Sequence, residues 1–368
     1  MSERVYNFGA GPAVLPEQVL EEAREHLLTF PGAGMSVLEI SHRSSAFSEI
    51  IQRATSNIRA LAGLSDDYRV LFMQGGATQQ FAMVPINLLP VGGSADYTLT
   101  GTWAKKAAQE AERFGSVRIA ATTADEKFTR IPAADTLEFS PDAAYVHLTS
   151  NNTIVGTQWP EWPHTGDVPL VVDASSDIFS RPLVVGSNGH GLGLLYAGAQ
   201  KNLGPAGVTL VIIHDALVER AGVVGRTIPT TFQYSTYVDS DSLYNTPPVF
   251  AIYLVALVTD WLLSSGGLEA IGAQNARKAD TLYDAIDRTS FYRGAAHRDS
   301  RSRMNVTFRL ANDALERRFI AEASDASLAG LKGHRSVGGV RASIYNALPE
   351  PAVNALVEFM AEFERVNG

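Results

Sequence analysis

The sequence predicts an α/β fold in which a mainly parallel sheet is covered on both faces by helices and followed by a smaller α+β unit. Three observations predict it. Short apolar runs alternate with helical stretches from residue 70 to residue 199. The runs are apolar at nearly every position, as strands buried on both faces must be. After Gly266-Gly267 the order changes to helix, strand, helix, strand and helix, the pattern of a separate α+β unit. A chain of 368 residues, 45% hydrophobic and 19% charged, is large enough for two domains of an ordinary globular protein.

Two helices are expected first, over residues 17–29 and 46–62. The apolar runs follow: VLFM at 70–73, YTLT at 97–100, VRIA at 117–120, AYVHLT at 144–149, PLVVDA at 169–174 and GLLYAGA at 193–199. The double proline at 247–248 precedes a long apolar helix over 249–264, since proline at a helix start sacrifices no hydrogen bond. Beyond it the spacing predicts a helix over 268–289, a strand over 304–310 and a helix over 313–324. A strand pair around VGGVRASIY (337–345) and a last helix over 350–366 complete the chain. The expected division is an N-terminal segment 1–15, a large domain 16–265 and a small domain 266–368.

The net charge of −9 and the lack of any long Lys/Arg run argue against nucleic acid or an anionic membrane as the main partner. The chain has no cysteine, which excludes disulfides, thiolate metal sites and cysteine nucleophiles. Charge, Gly and Pro break up MSERVYNFGAGPAVLP before an apolar signal segment can form. The longest apolar run, 249–259, is too short to span a bilayer and leads into Asp260. A cytoplasmic protein is expected, and any basic site must be local.

In an open α/β sheet, ligands bind beyond the carboxyl ends of the strands, so the residues following each run are the ones to weigh. After VLFM comes Gln74-Gly75-Gly76-Ala77-Thr78, where backbone N–H groups and a helix start can close on a phosphate. Taken alone it is equally a tight strand-to-helix turn. It carries neither P-loop nor dinucleotide spacing, and the nearest mimic, Gly189-His190-Gly191-Leu192-Gly193, precedes a strand instead of following one. After YTLT comes Trp103, able to stack on a flat heterocycle, though a core role is the plainer reading of a single Trp. Asp173 ends PLVV. A buried carboxylate needs a partner, which could be a protonated pyridine nitrogen or simply the turn at Ser175 and Ser176. Lys201 follows GLLYAGA and Gln200 and precedes a rigid Pro/Gly turn. A desolvated lysine there has a lowered pKa and becomes a nucleophile toward an aldehyde. Phosphate seat, stacking ring, carboxylate and lysine, in that order, are together what pyridoxal phosphate (PLP) requires.

Long ordered stretches carry a resemblance: NFGAGPAVLP (7–16), SHRS (41–44), GGATQQFAMVP (75–85), TGTWAKKA (100–107), SNNTIVGTQW (150–159), DASSDI (173–178), YAGAQKNLGPAG (196–207), YNTPP (244–248) and LKGHRSVGGVRASIYNALP (331–349). With these the chain resembles the phosphoserine aminotransferase family, in the class V branch of the fold type I PLP enzymes. The resemblance implies the PLP-transferase fold, with a mainly parallel seven-stranded sheet in the large domain and a small C-terminal α+β domain. It implies that Lys201 holds PLP as a Schiff base and that Asp173 pairs with the pyridinium. It further implies that Trp103 stacks on the ring, and that Gly76, Ala77, Thr78, Thr153 and Gln200 contact the cofactor. Some members carry Gly-Arg where this chain has Ala77-Thr78, so its phosphate seat leans on backbone and a hydroxyl. Asn245 and Thr246 match a pair that reaches the neighbouring subunit's cofactor, which implies a homodimer with shared sites.

Substrates with several negative charges need fixed cations, and His42-Arg43, His334-Arg335 and Arg341 supply them from distant parts of the chain. Singly, each is more simply a surface charge. By resemblance, Arg43 and Arg341 hold carboxylates, while His42, His334 and Arg335 read a phosphate. The implied reaction moves the amino group of L-glutamate to 3-phosphohydroxypyruvate, giving O-phospho-L-serine and 2-oxoglutarate, with action on the phosphorylated hydroxythreonine of PLP synthesis left open. The rivals are an alanine–glyoxylate type transaminase, which would not need so many cations, a PLP-fold ligand sensor and a nicotinamide dehydrogenase. A cysteine desulfurase lacks its thiol here.

Overall fold

The computed structural model describes residues 4–183, 185 and 191–368; Gly189 and His190 of the glycine-rich mimic lie outside the described residues. Seven strands form the central sheet: β1 (Tyr68–Gly75), β2 (Ser94–Leu99), β3 (Ser116–Thr122), β4 (Val146–Thr149), β5 (Leu170–Asp173), β6 (Leu192–Gly198) and β7 (Gly207–His214). Their spatial order is β1-β7-β6-β5-β4-β2-β3. β3, β2, β4, β5 and β6 pair in parallel, while β7 runs antiparallel to both β6 and β1. Six of the strands match the six apolar runs. The seventh, GVTLVIIH, is the reversed one and was not among them, although its β-branched composition is that of a strand.

Successive residues of one strand enter different cores because side chains alternate across a sheet. Phe72, Leu170, Val172 and Ile212 face one hydrophobic cluster, and Leu71, Met73, Val171 and Val211 face another. Helices α1 (Glu17–His26), α2 (Ser45–Ala62) and α5 (Val249–Ser264) cover the first face, and α3 (Ala77–Leu88) and α4 (Thr102–Ala111) cover the second. α2 starts where the Ser44 hydroxyl accepts the Phe47 N–H and ends at Gly63 in the left-handed conformation. α5 shows no polar stripe because it is buried nearly all round.

A further helix, α6 (Gly267–Asp287), places Leu268 and Ile271 in the first cluster and Ala279, Leu282 and Ile286 in a third one. That third cluster also takes α7 (Asp313–Asp325), α8 (Glu350–Asn367) and an antiparallel three-stranded sheet of β8 (Arg293–Gly294), β9 (Asn305–Arg309) and β10 (Val340–Ser343). The strand pair expected around 337–345 is a correction. Only Val340–Ser343 is a strand, its ladder partner is β9, and Lys332 contributes a single bridge to Val340. Gly338 and Gly339 both adopt positive φ, which breaks the run ahead of Val340. The N-terminus joins this unit, since Tyr6–Asn7 pairs in parallel with Leu328–Ala329 and Phe8 is buried in the third cluster.

Candidate active site

Six strands end, and β7 begins, at one edge of the sheet, and a cavity of about 490 Å³ opens there against β10. Its lining includes Gly76, Ala77, Thr78, Trp103, Thr153, Asp173, Gln200, Lys201, His334 and Arg341 from the residues singled out in the sequence. Five others lie outside that lining. Arg335 is exposed beside His334, His42 and Arg43 precede α2, and Asn245 and Thr246 are exposed. Gln74 holds that last pair beside the glycine turn, with its amide nitrogen donating to the Thr246 carbonyl at 2.7 Å and its oxygen accepting from Asn245 at 3.4 Å. The His42 Nε2 atom is buried without a hydrogen-bond partner among the described residues.

β1 runs through Gly75, and α3 starts at Ala77 with Gly76 as its cap, so the first N–H groups of that helix face the cavity. Gly75 has φ 93°, and a Cβ there would meet the Gln79 side chain at 2.2 Å. Trp103 stands in the first turn of α4.

Asp173 closes β5. Its Oδ1 accepts the Ser175 N–H at 3.0 Å and the Ser175 hydroxyl at 2.6 Å, and the other carboxylate oxygen has no partner among the described residues. The turn-capping and ligand-facing readings of this residue are therefore compatible. Burial pushes its carboxyl above the ordinary carboxylate range, opposed by the Ser175 bonds and the charge of Lys201.

Lys201 sits in the turn between β6 and β7, where Leu203 and Gly204 N–H groups both return to the Ala199 carbonyl. Its Nζ donates to Thr153 Oγ1 at 3.1 Å. Desolvation pushes the amine down to about 8, with Asp173 raising it and Arg341 lowering it further. Thr153 is the hub of the site, since its carbonyl also accepts from the Arg341 guanidinium at 3.1 Å. It stands at the tip of a hairpin formed by Asn151–Asn152 and Thr157–Gln158. Gly156 lets that tip approach β9, because it has φ 86° and a Cβ would meet the Asn305 carbonyl at 2.5 Å. Arg341 is half-buried on β10 and its Nε has no partner among the described residues.

Residues 5–356 match the family model Aminotransferase class-V. The chain belongs to the class V aminotransferases. A phosphoserine aminotransferase of Desulfosudis oleivorans is 55% identical over 370 residues, covering all of both chains. The solved structure of phosphoserine aminotransferase from Bacillus circulans subsp. alkalophilus is 48% identical, covers all of both chains and superposes with a TM-score of 0.95. The PLP-bound phosphoserine aminotransferase of Trichomonas vaginalis is 37% identical, covering 97% of this chain and 100% of its own, with a TM-score of 0.91.

PLP is the cofactor of this class V aminotransferase, and the cavity fits it. A lysine amine, a carboxylate oxygen without a partner among the described residues, an aromatic wall and a helix start line one space. Thr149 Oγ1, buried in that lining, also lacks a partner among the described residues.

Several lining residues of the aminotransferase were not singled out in the sequence. Asn151 donates to Ser176 Oγ at 2.8 Å and to Asn305 Oδ1 at 2.7 Å, and accepts from the Ser302 hydroxyl at 2.6 Å. Asp177, buried nearby, accepts from the Ser150 hydroxyl and from Gln158. Their signal was position, directly beyond β4 and β5. Ala10, Gly11 and Pro12 reach the cavity from the N-terminal segment, which no strand-end rule would find.

Proposed function

We propose that this chain is a phosphoserine aminotransferase, moving the amino group of L-glutamate to 3-phosphohydroxypyruvate to give O-phospho-L-serine and 2-oxoglutarate, a step of serine synthesis. The observation that carries the reading is a single cavity with Lys201 and Asp173 at the strand ends and two basic groups, Arg341 and His334, on the opposite unit. Names of relatives at 48–55% identity over the full chain support it.

When bound, PLP supplies an aldehyde and an electron-withdrawing ring that acidifies the substrate's α-carbon. The α3 start and the Thr78 hydroxyl would hold its phosphate, Trp103 its face, Asp173 its ring nitrogen and Thr153 and Gln200 its edges. Lys201 then carries the proton at the α-carbon, a role that suits an amine held near neutrality. Arg341 offers its free Nε–H to a substrate carboxylate. His334 and Arg335 lie toward a phosphate on the substrate's far end.

His42, Arg43, Asn245 and Thr246 lie outside the cavity of their own chain, and the reading assigns them to a second subunit's site in a homodimer. Division of the chain at 265–266 and a cytoplasmic location belong to the same proposal; among the described residues no single helix is long and apolar enough to cross a membrane.

The test is a glutamate-dependent assay with 3-phosphohydroxypyruvate and hydroxypyruvate side by side. The phosphorylated acceptor should be strongly preferred, and Lys201→Ala should abolish turnover. Equal rates with both acceptors, or normal turnover without Lys201, would refute the assignment.

A further inference from the structure

Lys106 is a cation at the mouth of the site that the proposed function does not use. It lies one turn along α4 from Trp103, with Nζ 4.8 Å from the centre of the Trp103 ring, and it is exposed. Trp103 and His334 both line the cavity. His334 lies within the field of three cations, Arg341, Arg335 and Lys106, and all three, together with burial, disfavour its protonation. Among the described residues no carboxylate forms a hydrogen bond or ion pair with the ring, and its side-chain partner is the Ser336 hydroxyl at 2.7 Å. Among the described residues Lys106 and Arg335 enter no ion pair, although carboxylates pair with cations at thirteen places elsewhere. In a chain of net charge −9, an unpaired cluster of like charge at one opening is a site arranged for an anion.

We propose that Lys106 is a further specificity-determining residue, its ammonium completing with His334 and Arg335 a basic rim that takes the dianionic phosphate end of the substrate. The proposal rests on the function inferred above and adds a residue from the large sheet's own helix to a recognition set otherwise made of His42 and the segment before β10. With Nζ over the indole of Trp103, the ammonium is held beside the cavity wall that this ring forms, and, being exposed, it can still donate to an incoming anion. The plainer role, in which Lys106 only braces the Trp103 ring, would make it matter equally for every substrate.

The experiment compares holoenzyme of the wild type, Lys106→Gln and Lys106→Arg, with glutamate as donor, on 3-phosphohydroxypyruvate and hydroxypyruvate. Cofactor affinity is read in parallel from the visible absorption of the bound PLP. Lys106→Gln should lower the ratio of kcat/KM between the phosphorylated and unphosphorylated acceptors about tenfold, equivalent to about 1.4 kcal/mol. The loss should fall in KM, cofactor affinity should hold, and Lys106→Arg should recover most of the ratio. Added salt should shrink the wild-type ratio more than that of Lys106→Gln. An unchanged ratio, or an equal fall on both acceptors with weakened cofactor binding, overturns the proposal and leaves the function standing. A wild type without preference for the phosphorylated acceptor refutes the function itself.

Discussion

Lys201 owes its chemistry to burial and to nearby charges whose effects have opposite signs. Burial and Arg341 drive its proton off, while Asp173 holds it on, leaving the amine near pH 8. Since only the neutral amine attacks an aldehyde, capture of PLP by the apoprotein should speed up as pH rises through about 8 and level off above it. Arg341→Met removes a charge that lowers the pKa, so the midpoint of that rise should move to higher pH. Stopped-flow mixing of apoprotein with PLP across a pH series gives both midpoints, and a shift to lower pH would show that Arg341 does not act on Lys201 through its charge. Lys201, Asp173 and Trp103 were legible in the sequence because each follows an apolar run, and the topology gathers strand ends at one edge. Thr153 was reachable only by resemblance. Its role as a bridge between Lys201 and Arg341 depends on a hairpin approaching β9, a contact between segments more than a hundred residues apart that no local pattern encodes.

Among the elements, β7 shows where pattern reading stops. Its apolar run is as clear as the other six, but it follows the Pro/Gly turn after Lys201 with no helix between, unlike the alternating units before it. That turn is also why the strand is antiparallel: the chain comes straight back at the edge where β6 ends, with Gly207 at φ 110° opening the return. α6 shows a second limit. A helix over 268–289 was expected, but not that one helix would serve two cores, nor that Lys278 within it would be buried. The Lys278 ammonium donates to the carbonyls of Ile344, Tyr345 and Leu348 at 3.0, 2.7 and 3.0 Å. These three bonds match its three donors and shape the link between β10 and α8. Lys278→Met should cost about 1–3 kcal/mol for each carbonyl left unpaired. Equilibrium urea unfolding should report the loss as a lower midpoint, and an undiminished midpoint would mean that the carbonyls find other donors.

At the scale of the whole molecule, the cations divide into those the cavity already holds and those it does not. If Arg43 serves a partner's cavity, two inactive variants should repair each other. Mixing unfolded Lys201→Ala and Arg43→Ala chains and refolding them together should restore roughly a quarter of wild-type activity, because half of the dimers are mixed and each mixed dimer keeps one intact site of two. If Arg43 serves its own chain, the mixture stays inactive at any ratio.

The pairing of Tyr6–Asn7 with Leu328–Ala329 sets the order in which the molecule can be finished. Ala10, beside that strand, lines the cavity and accepts a hydrogen bond from the Tyr345 hydroxyl across 335 residues of chain. During synthesis residues 6–10 must therefore wait, unpartnered, for segments more than three hundred residues further along the chain. The large sheet can assemble while synthesis continues, but the wall contributed by residues 10–12 is set only once residues 328–345 have been made. Loading of the cofactor into a closed site is on this account a late event of biogenesis, and a nascent chain stalled before residue 328 would present an unfinished pocket.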